Sequence, residues 1–227
     1  MNKNLRASCA LLASLFLAAP ALADEYGPPS LAITPRTGML GHGADLSLPL
    51  ADNLNLRVGY GRYTKTKDVT ESDVVYNGKL TLSGGMLVAD WFPFGGNFRV
   101  SAGAIKNQSK VEIAAKPTGT VTFNGVTYNG GDINANGKIS YEKTAPYIGL
   151  GYGNASARSR FGFFAEFGVA YQKPEATLTA TCNVGGTSCT SDPAFADNVA
   201  AEQRELQADA EDLKWYPVVQ LGMSIRF

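Results

Sequence analysis

The sequence contains few of the residues on which enzymes and metal centres usually depend. It has one histidine, His42, and three cysteines, of which Cys9 lies near the start of the chain. His42 is flanked by two glycines and is within sequence reach of Asp45 and Ser47, but a single histidine among turn residues is more often structural than catalytic. No segment has the spacing of a metal site, a phosphate-binding loop or a nucleic-acid-binding module. We therefore expect no enzyme, no cofactor and no bound metal.

An excess of charge is also absent, as are long apolar runs beyond residue 23. Without Lys3 and Arg6, the rest of the chain holds 18 basic and 20 acidic side chains, a net charge near −2. This balance implies no nucleic acid or other polyanion as a partner. No apolar stretch in this part approaches the length of a spanning helix, so a helical membrane span is excluded.

The first 23 residues have the organisation of a cleavable secretory signal. Two basic residues precede an apolar run over 7–19, and the small residues at 21–23 are typical of a cleavage site. The alternative is a membrane anchor, but the run is shorter than the roughly 20 residues that a spanning helix needs, and Pro20 ends it. Cys9 lies at the start of the run, which argues against a lipoprotein. We predict a signal peptide at 1–23 and export of residues 24–227.

Apolar residues alternate with polar or small ones in segments of about ten residues, a pattern typical of strands. A soluble β-sandwich shows the same alternation, so the last segment decides. Every odd position from Trp215 to Phe227 is apolar, and this ending resembles the signal read by the barrel assembly machinery, carried by Phe227, Ile225 and Met223. We predict an all-β fold, an eight-stranded antiparallel transmembrane up-and-down β-barrel. The predicted strands are 30–37, 44–50, 54–61, 85–91, 98–108, 144–153, 161–171 and 215–227.

The lengths of the connections orient the predicted barrel, because periplasmic turns are short and extracellular loops are long in such proteins. The short links, which place both termini in the periplasm, are 51–53, 93–97 and 154–160. The predicted extracellular loops are 64–79, 109–141 and 173–213. The middle loop contains a hairpin signal at 121–128, with Asn124-Gly125 at its turn. We expect this hairpin to prolong the barrel wall.

Seven charged side chains fall at positions that face the interior of the predicted barrel. They are Arg36, Asp45, Arg57, Asp90, Arg99, Glu166 and Arg226. The lumen of an eight-stranded barrel is only about wide enough to be filled by side chains. One interpretation is an ion-pair network that plugs the barrel, because an unpaired buried charge is costly. The other is a selectivity ladder along which a small cationic or zwitterionic solute exchanges partners.

The third predicted loop combines two cysteines with an acidic helix. Cys182 and Cys189 flank six residues, and in an oxidising compartment this spacing predicts a local disulfide. A short extracellular helix is predicted from Asp192 as N-cap and Pro193 as first residue to about Asp212. Its acidic residues are Asp192, Asp197, Glu202, Glu205, Asp209, Glu211 and Asp212. They form either a solvated face, which repels neighbours or bridges cations with lipopolysaccharide, or a lid that concentrates cations at the barrel mouth.

The middle loop has the opposite charge balance. Its lysines are Lys106, Lys110, Lys116, Lys138 and Lys143, against Glu112, Asp132 and Glu142. Charge alone therefore predicts that this loop docks on the acidic helix and closes the top of the barrel.

From about Thr122 to the end, five motifs occur in the order and at the spacing of a known family. They are FNGVTY at 123–128, APYIGLG at 145–151, GFFAEFG at 162–168, KPE at 173–175 and WYPV at 215–218. In these motifs the chain resembles the CarO-type outer-membrane proteins, small eight-stranded barrels associated with carbapenem susceptibility. The resemblance covers somewhat less than half of the chain. It implies a narrow barrel that admits small basic amino acids such as ornithine, with a role in carbapenem entry.

Two classes of function remain open at this point. The first is a passive outer-membrane channel for small hydrophilic solutes, above all basic amino acids. The second is a closed barrel whose extracellular loops act in adhesion, surface contact or envelope stabilisation. The expected partners are outer-membrane lipid and lipopolysaccharide, the barrel assembly machinery and periplasmic chaperones during biogenesis, and small basic solutes.

Overall fold

The computed structural model describes residues 31–71, 74–117, 120–129, 132–141, 143–154 and 160–227. The predicted signal peptide and Glu142 lie outside this part of the chain. The strands are β1 Ala32–Gly38, β2 His42–Ala51, β3 Leu54–Glu71, β4 Val74–Trp91, β5 Phe98–Asn107, β6 Lys110–Pro117, β7 Thr120–Phe123, β8 Val126–Asn129, β9 Ile133–Ser140, β10 Thr144–Tyr152, β11 Phe161–Tyr171, β12 Glu175–Val184, β13 Thr187–Ser188 and β14 Trp215–Arg226. Within these described ranges, an α-helix, α1, spans Pro193–Glu211, and a 3₁₀ turn follows at Asp212–Lys214.

Eight strands close into an antiparallel ring in the order β1-β2-β3-β4-β5-β10-β11-β14, with β14 paired back to β1. The predicted eight-stranded barrel is therefore confirmed, including its first hairpin, in which β1 pairs with β2. We call the end at which short links join β2 to β3, β4 to β5 and β10 to β11 the turn end. The opposite end is the extended end. Among the described residues, no helix has the length and hydropathy needed to cross a membrane.

At the extended end, five strands of the barrel continue as a curved wall that we call the extension. It consists of the outer halves of β3 and β4 together with β6, β9 and β12. β5 and β6 pair with β4 in one continuous register, since Met86 lies opposite Ile105 and Leu80 lies opposite Val111. β9 likewise continues the line of β10 beside them. The connections predicted as extracellular loops at 64–79, 109–141 and 173–213 therefore contain strands that pair in the sheet: the described part of 64–79, Lys110–Pro117, Ile133–Ser140 and Glu175–Val184. Their extracellular position stays a prediction.

The hairpin predicted at 121–128 is present as β7 and β8, but it forms a separate two-stranded sheet. Its turn residues Asn124 and Gly125 both have positive φ, 49° and 76°, as the predicted asparagine-glycine turn requires. The hairpin does not prolong the barrel wall. Instead, the rings of Phe123 and Tyr128 lie 6.1 and 5.3 Å from the ring of Phe195 on α1.

Helix α1 begins where the sequence predicts. Oδ1 of Asp192 accepts hydrogen bonds from the backbone N–H groups of Ala194 and Phe195, at 2.8 and 3.3 Å. Farther along, Oε1 of Gln207 accepts from the N–H of Ala176 at the edge of β12 (2.8 Å). The predicted disulfide between Cys182 and Cys189 is also present. The helix and the disulfide together cover the free edge of the extension.

Candidate functional site

The outward side chains of the barrel form an uncovered apolar belt. On β11, Phe161, Phe163 and Phe167 are 58–60% exposed. The aliphatic members of the belt are Val58, Leu87, Ile148, Leu150, Val219, Leu221 and Met223. Aromatic side chains occupy its two margins: Trp91, Phe94, Phe98, Tyr152, Phe161 and Phe227 at the turn end, and Tyr60, Tyr171 and Trp215 at the extended end. A continuous band between two aromatic girdles indicates apolar surroundings rather than water.

Six of the seven predicted interior charges meet in one buried group, which we call the charge cluster. Its members are Arg36, Asp45, Arg57, Asp90, Arg99 and Glu166. The guanidinium of Arg57 contacts Asp45 (Nη1–Oδ2, 3.1 Å) and Asp90 (Nε–Oδ2, 2.8 Å). It also contacts Glu166, which pairs in turn with Arg99 (2.7 Å). Three positive and three negative groups therefore neutralise one another away from solvent.

The remaining two arginines differ in their surroundings. Nε of Arg36 pairs with Asp45, while Nη1 and Nη2 of Arg36 have no hydrogen-bond partner among the described residues. Arg226, predicted to face the lumen, is half-buried at the end of β14, where its backbone N–H donates to the carbonyl of Arg160. It has the inward parity, but the strand ends at this residue.

Glycines on the inner wall make room for the large side chains of the interior. A methyl group on Gly151 would lie 2.7 Å from the guanidinium of Arg99, and one on Gly168 would meet the hydroxyl of Tyr147. The ring of Phe164 lies against the same cluster, 4.3 Å from Cζ of Arg99. The alternation of glycine with aromatic residues in the sequence therefore has a packing function in the interior.

An apolar layer fills the barrel between the charge cluster and the extended end. Its members are Leu40, Met86, Val88, Ile105, Ala145, Tyr147, Ala170, Tyr216 and Val218. Leu40, Ile105 and Val218 are completely buried. We did not predict this layer; its one signal in the sequence is the run of apolar residues on both faces of β4, where Met86 and Val88 point inward.

The barrel is closed to water in this conformation. The side chains of the charge cluster are 0–4% exposed. The apolar layer is buried to a similar degree, with no member above 6%. Water therefore hardly reaches the charge cluster or the apolar layer. The described barrel strands enclose no water-filled path that crosses both.

His42 does not combine with the two residues in its sequence reach. It is exposed, with Nδ1 2.8 Å from Oγ1 of Thr37. Asp45 and Ser47 are buried inside the barrel, where Asp45 pairs with arginines. Among the described residues, no three histidine, cysteine, aspartate or glutamate side chains are grouped so that they could hold a metal ion.

The predicted acidic residues of α1 are largely solvated. Asp192, Asp197, Glu205, Asp209, Glu211 and Asp212 are exposed. Glu202 is half-buried and accepts a hydrogen bond from the N–H of Asn124 in the hairpin (3.1 Å). Lys110 and Lys143 pair with the strand residues Glu112 and Glu175. The hairpin therefore docks on the helix through aromatic rings and this hydrogen bond, while Lys110 and Lys143 pair within the sheet.

The fold matches solved structures of known proteins. Against the crystal structure of Acinetobacter baumannii CarO2, the TM-score is 0.60 at 21% sequence identity, covering 88% of this chain and 99% of that chain. The chain has a CarO-type fold. The crystal structure of Acinetobacter baumannii CarO gives 0.61 at 23% identity, covering 88% and 98%. No protein-family model matches the sequence, and a comparison with curated proteins finds no match. At these identities the likeness concerns the CarO-type fold itself.

Proposed function

We propose that this protein is an outer-membrane barrel, closed through its interior, that acts through its extension at the cell surface. The roles that fit are adhesion, surface contact and envelope stabilisation. The apolar belt supports the membrane location, because strands of 9–12 residues with this exposure match the hydrocarbon core in length. The terminal Phe227 serves as the signal for the barrel assembly machinery.

The filled interior is the observation that carries this proposal. A hydrophilic solute would have to pass the apolar layer, where it would lose its hydration without gaining hydrogen bonds. It would then have to break ion pairs of the charge cluster, which are buried and closely spaced. A barrel with this interior is better suited to present the extension than to conduct solutes.

Reconstitution into liposomes tests the closed state. We expect swelling and bilayer conductance in ornithine to equal those of protein-free membranes. A double variant, Leu40→Gly with Ile105→Gly, removes two buried members of the apolar layer and serves as the positive control, with measurable conductance. Solute-dependent flux through the unmodified protein would contradict the proposal. Membrane fractionation tests the location separately, with a variant lacking Phe227 expected to accumulate less in the outer membrane.

A second candidate is a slow channel for small basic amino acids. It is supported by unused hydrogen-bonding capacity in the interior, at Nη1 and Nη2 of Arg36 and Oε1 of Gln220, which have no partner among the described residues. These groups could receive the carboxylate and ammonium of an amino acid. If this candidate is correct, Arg36→Met reduces ornithine flux, and neutralising the acidic residues of α1 reduces it further. Unchanged flux in both variants would contradict it.

A further inference from the structure

Lysines from β4, β5, β6 and β9 gather on the outward face of the wall, at the aromatic girdle and beyond it. We call Lys79, Lys106, Lys110 and Lys138 the basic band. Lys106 lies in the same row of the sheet as the girdle residue Tyr60, with Gly85 between them. Lys79 and Lys138 both pair with Glu112, one on each side of it. They lie two residues farther along their strands than the residues that pair with Lys110. The band therefore begins at the margin of the apolar belt.

The four lysines of the basic band outnumber Glu112, the carboxylate that lies between them. Nζ of Lys110 lies 3.1 Å from Oε1 of Glu112, and Nζ of Lys79 lies 3.8 Å from Oε2. The hydrogen bond from Lys110 lowers the pKa of Glu112, and attraction by Lys110, Lys79 and Lys138 adds to this effect. One carboxylate thus faces several ammonium groups. The next glutamate in the sheet, Glu175, is paired with Lys143 at 3.1 Å.

On β4 and β6, the lysines of the basic band and the apolar side chains lie on opposite faces of the wall. On the opposite, inner face of the same strands, Leu80, Val111 and Ile113 are 37–45% exposed. The outward face is the one that continues the lipid-facing surface of the barrel.

We propose that the basic band binds the phosphate groups of the lipopolysaccharide around the barrel. This inference rests on the proposed outer-membrane location. Lysine is a compact point charge suited to phosphate, and phosphates of a lipid lie immediately outside its acyl chains. With acyl chains on the apolar belt, the headgroup phosphates reach the rows that carry Lys106 and Lys110. The bound ligand is therefore a phosphorylated glycolipid and not free phosphate.

The test compares two sets of lysine variants in purified, detergent-solubilised protein. The first set is Lys79→Gln, Lys110→Gln and Lys138→Gln together. The control is Lys65→Gln with Lys67→Gln, which are exposed lysines on the inner face of β3. The probes are lipid A with two phosphates, lipid A with one phosphate, and inorganic phosphate, with binding measured by native mass spectrometry and by competition. The heat-dependent gel shift of each variant establishes that its barrel is folded.

We expect the triple variant to bind diphosphorylated lipid A at least roughly tenfold more weakly than the unmodified protein, while the control is unchanged. Binding should weaken with one phosphate on the lipid and with added salt. Equal binding by the triple variant, or an equal loss in the control, would overturn the proposal. Inorganic phosphate competing at the same concentration as lipid A would assign the band to free phosphate and also overturn it. Failure of the outer-membrane location is detected independently, by fractionation of the unmodified protein.

Discussion

The barrel and the extension are built on the same continuous strands, yet along β4 the apolar and the charged side chains exchange faces from one region to the other. On β4, Leu87 points out of the barrel and is 53% exposed, and Asp90 is buried inside. Farther along the same strand, Leu80 points to the inner side and Lys79 to the outer side. The register of β3 with β4 is unbroken across all 18 pairs. The apolar and charged side chains exchange faces although the backbone pairing is unbroken. The cause of this exchange is therefore the medium that surrounds the wall.

This exchange of faces marks the boundary between two surrounding media. Below the row of Gly84, the outer face needs apolar side chains and the inner face can hold charges. Beyond it, β12 places threonines outward at 177, 179 and 181, and Leu178 and Ala180 inward, under α1. A protein entirely in water gains nothing from the first arrangement. The comparison therefore supports a membrane boundary near the girdle of Tyr60 and Trp215.

The largest expected effect on the free energy of unfolding comes from removing a buried charge, compared with removing an exposed one. Glu166→Ala leaves Arg57 and Arg99 without a shared carboxylate and should lower the free energy of unfolding by roughly 3–5 kcal/mol. The matched change in the extension, Glu175→Ala, breaks only an exposed pair with Lys143 and should have little effect. Urea unfolding in lipid vesicles measures both. Similar losses in the two variants would mean that the charge cluster is not sealed from water.

A lysine placed on the outer face tests this exchange of faces. Phe167→Lys puts a charge in the apolar belt. In vesicles it should lower the free energy of unfolding by roughly 2–4 kcal/mol, as charges do near the middle of a bilayer. Thr179→Lys places the same side chain on the outer face of β12 and should be nearly neutral. The same unfolding measurement applies. If both changes lower the free energy of unfolding equally, the membrane boundary does not lie between Phe167 and Thr179.

The disulfide should stabilise the extension and leave the barrel unaffected. Replacing Cys182 and Cys189 by serine removes a short closed loop, which contributes about 2.5 kcal/mol on the chain-entropy estimate. Hydrogen exchange should accelerate in β12 and α1 and stay constant in β10 and β11. Chemical reduction of the unmodified protein is the control and should reproduce the pattern. Acceleration throughout the barrel would show that the two regions unfold as one unit.

The smallest expected effect concerns the helix cap. Asp192→Ala removes the acceptor of two N–H groups and should destabilise α1 by about 1 kcal/mol. Faster exchange at Ala194 and Phe195 would report the loss. Asp197→Ala, on the exposed side of the same helix, is the matched control and should leave these amides unchanged.

Local signals account for what could be predicted from the sequence. Period-two alternation located the barrel strands and the inward charges, and the Asp192-Pro193 pair located the start of α1. The extension was missed because its strands show little hydrophobic contrast: around Lys65 and Lys67 both faces of β3 are polar, and on β12 threonine alternates with alanine. Strands with such weak alternation can be recognised only when the neighbouring strands with which they pair are known.

The apolar layer and the pairing inside the charge cluster depend on closure of the ring. Leu40 lies in the glycine-rich link between β1 and β2, where nothing in its sequence neighbourhood indicates complete burial. Likewise, Arg57 meets Glu166 across 109 positions of sequence. Which arginine reaches which carboxylate follows from the stagger of the strands around the barrel, and alternation within one strand carries no information about that stagger.

The unbroken ribbon of β3 and β4 also has a mechanical consequence. Its 18 paired residues span about 60 Å, at roughly 3.4 Å per residue. Because its inner part lies in the barrel wall and its outer part also pairs with β6, the ribbon transmits a pull or a tilt applied at its tip directly to the barrel. Shear at the cell surface would therefore tilt the barrel as a whole instead of bending a flexible loop.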